Sequence, residues 1–172
     1  MEERMDYRIL NTGSMMPSIG FGAYKIGDRD QVASVISQAI QTGYRLIDTA
    51  SYYQSEEGIA DAIQSSGINR LDMFITTKLW HQDAGYDNTM RAVERSLKAL
   101  NTNYIDLYLI HQPIGDYYGS WRAMEELQDQ GVLMAIGTSN FYEDRLADLW
   151  HHARIKPAVN QIECHPSKQR KE

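Results

Sequence analysis

The sequence predicts an α/β protein of the (β/α)8-barrel (TIM-barrel) type that is incomplete, with about six β-α strands after an N-terminal β-hairpin. Three observations predict it. From about residue 18, short β-branched or aromatic runs alternate with longer segments of helical period. Hydrogen-bonding or ionisable residues stand at the end of one run after another, as in parallel folds whose strand exits share a mouth. Ahead of this rhythm, Asn11-Thr12-Gly13-Ser14 supplies turn chemistry between Ile9-Leu10 and Met15-Met16, so Tyr7 to Ser18 reads as a hairpin outside the repeating units.

The first strand run is Ile19 to Tyr24. The helix after it opens at Asp28 or Asp30, carries Val32, Val35, Ile36, Ala39 and Ile40 at helical spacing, and stops at Gly43. Tyr44 to Asp48 is the second strand, and Ile59, Ala60 and Ile63 mark a short helix closed by Gly67. Phe74 to Lys78 is the third. The next helix takes Asp87 or Asn88 as its cap, with Met90, Val93, Leu97 and Leu100 on one face. Ile105 to Ile110 is strand four, Trp121, Met124 and Leu127 mark a helix up to Gly131, and Leu133 to Gly137 is strand five. A helix with Leu146, Leu149 and Trp150 precedes strand six at Ala158 to Ile162. The whole of residues 1–172 is expected to be one unit, with the hairpin at 7–18 and the six strands and their helices at 19–166.

A chain of 172 residues, 42% hydrophobic and 23% charged, has the balance of a globular protein. A net charge of -6 argues against nucleic acid or anionic lipid as partner, because both require a positive field. Cys164 is the single cysteine, so neither an intrachain disulfide nor a cysteine metal cluster can form. Met1 to Leu10 carries Glu2, Glu3, Arg4 and Asp6 with no apolar core, and no run is long enough to span a bilayer, so the expected location is cytoplasmic. His151, His152 and His165 have no acidic or cysteine partner at ligand spacing, and no metal is expected.

The strand exits carry the chemistry. Asp48, Lys78, His111, Ser139 with Asn140, and Gln161 to Glu163 end strands two to six, and Tyr53 follows Asp48 by one short loop. Singly, each has an ordinary structural explanation. A lysine and an aspartate within apolar strands are costly unless they pair, and pairing with each other is the cheapest solution. An ammonium ~4 Å from a phenol oxygen favours phenolate by about 4 kcal/mol at an effective dielectric of 20, about three pK units before desolvation opposes it. Tyr53 is therefore expected to give up a proton near neutral pH, as the acid that protonates a carbonyl oxygen while hydride reaches its carbon. His111 would hold that oxygen.

These residues stand in a set of motifs: Gly20-Phe21-Gly22, Asp48-Thr49-Ala50-Ser51-Tyr52-Tyr53 with Glu56, Ile75-Thr76-Thr77-Lys78-Leu79-Trp80, Leu107-Tyr108-Leu109-Ile110-His111, Ile136-Gly137-Thr138-Ser139-Asn140-Phe141 and Asn160-Gln161-Ile162-Glu163-Cys164-His165-Pro166. In that order they resemble the aldo-keto reductases over essentially the whole chain, hairpin included. The segment from Gln112-Pro113 to Glu126 looks most like the bacterial branch of diketogluconate and broad aldehyde reductases. The resemblance implies an oxidoreductase that reduces aldehydes or ketones with NADPH. Tyr53 would be the proton donor, Lys78 and Asp48 would tune it, and His111 would orient substrate. Ser139, Asn140 and Gln161 would clamp the nicotinamide carboxamide, and Gly22 and Asp48 also fall among the cofactor-binding positions. Tyr24 and Trp80 would line the substrate pocket.

Beyond Pro166 the family continues into a helix, a strand bearing an aromatic that stacks on nicotinamide, and a strand with a basic loop for the adenosine phosphates. The tail Ser167 to Glu172 offers no apolar position for these. The expectation is a nicotinamide-end site with little of the family's grip on the rest of the cofactor. The alternative reading is a weakly active or inert barrel fragment that acts through self-association at its exposed sheet edges, or as a pseudoenzyme. An open doubly wound sheet also holds six strands, but Gly20-Phe21-Gly22-Ala23-Tyr24-Lys25 lacks the third glycine and the helix start of a dinucleotide turn.

Overall fold

The structure is a computed structural model, and it describes residues 6–169. Met1 to Met5 and the last three residues, on which part of the reading of both chain ends rests, lie outside it. The hairpin pairs β1 (Tyr7–Ile9) with β2 (Met15–Pro17) antiparallel, Tyr7 opposite Pro17. Gly13, at φ 86, makes the left-handed turn. Asn11 Nδ2 ties the turn to the Lys156 carbonyl at 2.9 Å.

The main sheet has six parallel strands in sequence order: β3 (Phe21–Gly22), β4 (Leu46–Asp48), β5 (Phe74–Leu79), β6 (Leu107–Ile110), β7 (Ile136–Ser139) and β8 (Asn160–Gln161). Five helices connect them: α1 (Arg29–Gln41), α2 (Glu56–Ser66), α3 (Tyr86–Ala99), α4 (Tyr117–Asp129) and α5 (Glu143–His152). The sheet curls as an arc of a (β/α) barrel with β3 and β8 at its edges. Both edge strands are two residues long, shorter than the apolar runs that predict them. None of the helices is long and apolar enough to cross a membrane, among the described residues.

Alternation along the strands makes two cores and aims the polar exits. On one face Leu46, Phe74, Leu107 and Leu109 meet Leu10, Ala135 and Met16, so the hairpin closes the inside of the arc. On the other face Ile47, Ile75, Tyr108, Ile110 and Ile136 pack against the helices through Val32, Ile36, Ile59, Val93, Trp121 and Met124. Successive strand residues point to opposite faces. The inner set that starts at Leu46, Phe74 and Leu107 therefore runs up to Asp48, Lys78 and His111, and β7 and β8 add Ser139 and Gln161. The lower end of the arc is apolar and its upper end gathers the polar strand exits.

Helix ends follow local chemistry. Asp28 caps α1 in a capping box with Gln31, and Gly43 follows its end at φ 105. Helix α3 departs from the expectation: it begins at Tyr86, ahead of Asp87 and Asn88, with Gly85 as cap at φ 102. The Gly85 N–H donates to Ser120 Oγ of α4 at 2.9 Å, so a neighbouring helix supplies the partner and Asp87 is left to favour the helix dipole in the first turn.

Candidate active site

Asp48 ends β4 and Lys78 stands one residue from the end of β5, both on the inner face. Lys78 Nζ donates to Asp48 Oδ1 at 2.5 Å and to the Thr49 carbonyl at 2.8 Å. The lysine is only 1% exposed while the Asp48 side chain keeps 21%. Burial pushes the Lys78 ammonium down, and the charge and hydrogen bond of Asp48 oppose the shift. The pairing expected from the sequence is formed.

After β4 the chain makes a single 3-10 turn, Ser51–Tyr53, closed by Gln54 in the left-handed region at φ 57. Ser51 Oγ donates to the Lys78 carbonyl at 3.1 Å, and Thr49 and Ser55 share a hydroxyl bond of 2.6 Å beneath the turn. This anchoring carries Tyr53 over the mouth, with Lys78 Nζ 5.4 Å from its ring centre. Tyr53 Oη lies 3.4 Å from His111 Nε2. The His111 N–H continues the ladder to the Leu79 carbonyl at 3.1 Å, which fixes the histidine at the strand exit.

The electrostatics differ from the expectation in one respect. Tyr53 is pushed up to about 12 by burial first, then by the charge of Asp48 and by Tyr24. The ammonium does not favour phenolate here, because it lies over the ring and is closely matched by Asp48, whose own charge works the other way. Tyr53 is a fully protonated phenol at neutral pH. His111 is pushed down to about 4, by burial first and then by the nearby Lys78 charge, so its imidazole is neutral. Its Nδ1 is buried and has no partner among the described residues.

Ser139, Asn140 and Gln161 border the same mouth, and their donors turn inward. Asn140, at φ 61, donates through Nδ2 to the His111 carbonyl at 3.0 Å and to Ser139 Oγ at 3.1 Å. Gln161 Nε2 donates to Asp48 Oδ2 at 2.8 Å. Among the described residues no group donates to Asn140 Oδ1 or Gln161 Oε1, and the Ser139 hydroxyl hydrogen is free to donate. The three thus offer two acceptors and one donor, which is the complement of a primary carboxamide. Gly22 pairs in register with Asp48 at the rim, where a Cβ would meet nothing within 4 Å.

Aromatic rings wall the mouth. Tyr24 lies 4.7 Å from Tyr53 between ring centres, and Trp80 lies 5.2 Å from His111. Sequence reasoning missed Tyr52, stacked on Trp80 at 4.1 Å, and His81, 4.3 Å from the same indole. Their adjacency to Tyr53 and Trp80 was the available signal. It also missed Lys25, held at φ 57 beside Tyr24 with Nζ 5.0 Å from that ring, a cation at the rim. Cys164 is exposed. His151, His152 and His165 join no group able to hold a metal ion among the described residues.

This geometry agrees with relationships to known proteins. The family model described as "Aldo/keto reductase family" matches residues 18–172. The chain belongs to the aldo/keto reductase family. Curated members include the glyoxal reductase of Bacillus subtilis (strain 168), 45% identical over 164 residues, which cover 95% of this chain and 59% of that protein. The methylglyoxal reductase DkgA of Escherichia coli (strain K12) is 40% identical over 166 residues, again 95% of this chain and 59% of that one. The chain thus spans about three fifths of the length of the curated relatives it matches. A crystal structure of an aldo/keto reductase from Brucella melitensis superposes with a TM-score of 0.95 at 43% identity, covering 98% of this chain and 66% of that one. A Bombyx mori aldo-keto reductase solved in complex with NADP gives 0.91 at 33% identity, covering 98% and 61%.

Proposed function

We propose that this mouth reduces the carbonyl group of small aldehydes and ketones with NADPH, Tyr53 serving as the general acid. Glyoxal and methylglyoxal are the first substrates to try, because two relatives are named for their reduction. One observation carries the reading: a protonated phenol and a neutral imidazole stand 3.4 Å apart, with a buried ammonium–carboxylate pair behind them.

The nicotinamide, when bound, supplies the hydride. Ser139 Oγ, Asn140 Oδ1 and Gln161 Oε1 would hold its carboxamide. The chain's own residues do the rest. The His111 Nε2–H orients the carbonyl oxygen, which requires the tautomer with Nδ1 unprotonated. Tyr53 Oη donates its proton to that oxygen as negative charge grows on it. Asp48 keeps Lys78 charged. Tyr24, Tyr52 and Trp80 form the apolar sides of the substrate space and exclude water from the oxygen.

The test is NADPH consumption with methylglyoxal. Wild type is expected to turn over and Tyr53→Phe to lose at least about a hundredfold, the usual worth of a general acid. Equal rates in both would remove the acid assigned here.

A second reading is favoured by Ile19, 70% exposed beside β3, and Ile162, 41% exposed beside β8. Apolar side chains at both sheet edges suit self-association of the chain through those edges. Sedimentation of the chain is expected to show concentration-dependent dimers or larger species. A monomer at all concentrations removes this reading and leaves the first in place.

A further inference from the structure

The Lys78–Asp48 pair is held from the far edge of the sheet as well as from its own strands. Asp48 Oδ1 takes the ammonium at 2.5 Å, and Oδ2 takes the Gln161 amide at 2.8 Å. Gln161 belongs to β8, an edge strand, and its side chain crosses the inner face of the arc to reach β4. Among the described residues it is the one donor that meets Oδ2. Without the Gln161 bond the carboxylate is held at Oδ1 alone and can turn about its Cβ–Cγ bond, which loosens its grip on the lysine. At 1% exposure, Lys78 has no water with which to replace it.

The charged and titratable groups that face Lys78 are Asp48 from β4, Tyr53 from the 3-10 turn and His111 from the exit of β6. Asp48 is the only anion of the three. Whatever fixes the Asp48 carboxylate therefore fixes the ammonium and, through it, the surroundings of the phenol.

We infer that Gln161 is a positioning residue for the Lys78–Asp48 pair, its Nε2 end locking Asp48 while its Oε1 end faces the carboxamide site. This deepens the reductase reading and rests on it for its use in catalysis. An amide that accepts a hydrogen bond at its oxygen donates more strongly from its nitrogen, since bonds in a chain polarise one another. A donor captured by Oε1 would tighten the grip on Asp48, so filling the clamp and ordering the proton-donating residues become one event.

The test follows Lys78 in the full chain without cofactor or substrate, by side-chain NMR of isotope-labelled lysine against pH, with Lys78→Met identifying the signal. Compared with wild type, Gln161→Met is expected to move the Lys78 midpoint down, because the ion pair loosens around a desolvated ammonium. Gln161→Glu is expected to move it up, because a second anion joins. Should Gln161→Met fail to fold, Gln161→Asn, too short to reach Asp48, carries the same downward expectation. Midpoints unchanged in the folded variants, with only their melting temperatures altered, would make Gln161 a structural edge residue and overturn the inference. No turnover enters the readout, so failure here and failure of the reductase reading are separate results.

Discussion

Removing the charge of Asp48 while keeping its shape isolates what the buried pair contributes. In Asp48→Asn, Lys78, 1% exposed in the wild type, loses the one counter-ion it meets among the described residues. Breaking a buried pair from one side costs about 3–5 kcal/mol. The lysine can escape by releasing its proton, and that sets a ceiling. From an ordinary value of 10.5, deprotonation at pH 7 costs roughly 3.5 units at 1.36 kcal/mol each, about 5 kcal/mol. The expected loss at pH 7 is therefore about 3–5 kcal/mol. Its pH dependence has a fixed sign. With the folded-state lysine depressed below the unfolded one, the unfolded chain binds more protons between the two values, so the variant recovers stability as pH rises toward 10. Urea unfolding followed by tryptophan fluorescence measures this, with the slope on denaturant unchanged. Lys78→Met combined with Asp48→Asn should recover most of the loss. Asp48→Asn within about 1 kcal/mol of wild type from pH 7 to 10 would mean that the pair contributes no more than a surface ion pair.

Three further outcomes are expected. Glu56 is buried, accepts from Thr77 Oγ1 at 2.8 Å, and is pushed up chiefly by burial, so the fold favours its protonated form. That contribution is present below the unfolded value and is lost as pH rises through the folded one. Glu56→Gln should therefore gain on wild type as pH rises from 4 to 8, and a pH-independent difference in urea unfolding would contradict this. Gly137 lies where a Cβ would come 2.5 Å from the Val159 carbonyl oxygen and 2.8 Å from a Leu109 methyl. Gly137→Ala should cost about 1–3 kcal/mol and weaken the Gln161–Asp48 bond by pushing β8 outward; unaltered melting would show that the strand yields freely. A difference titration of phenolate absorbance between wild type and Tyr53→Phe should place the Tyr53 midpoint near 12, and a midpoint below 10.0 would overturn the burial-and-Asp48 account.

Much of the fold was legible because strand periodicity and inner-face polarity are local properties. Leu46, Phe74 and Leu107 fix which residues of their strands face inward, and the same alternation delivers Asp48, Lys78 and His111 to one mouth. The strand runs were over-extended at both edges, where β3 and β8 each have one neighbour and pairing stops after two residues. The start of α3 was missed because its partner, Ser120, comes from another helix 35 residues on. The direction of the Tyr53 shift was misread for a similar reason. Lys78 beside a phenol favours phenolate only while its charge is unmatched, and the match to Asp48, together with the depth of Tyr53, is set by tertiary distances. The contact of Gln161 with Asp48 spans 113 residues and leaves no local trace.

The proposed reduction, in which hydride reaches a carbonyl carbon as Tyr53 protonates its oxygen, can be followed with NADPH carrying deuterium at the transferable position of nicotinamide C4, incubated with methylglyoxal and the full chain, the product alcohol being weighed by mass spectrometry. One deuterium is expected on the product carbon with wild type and almost no labelled alcohol with Tyr53→Phe. Labelled product in equal amounts from both proteins, or none from wild type above the protein-free blank, would contradict it.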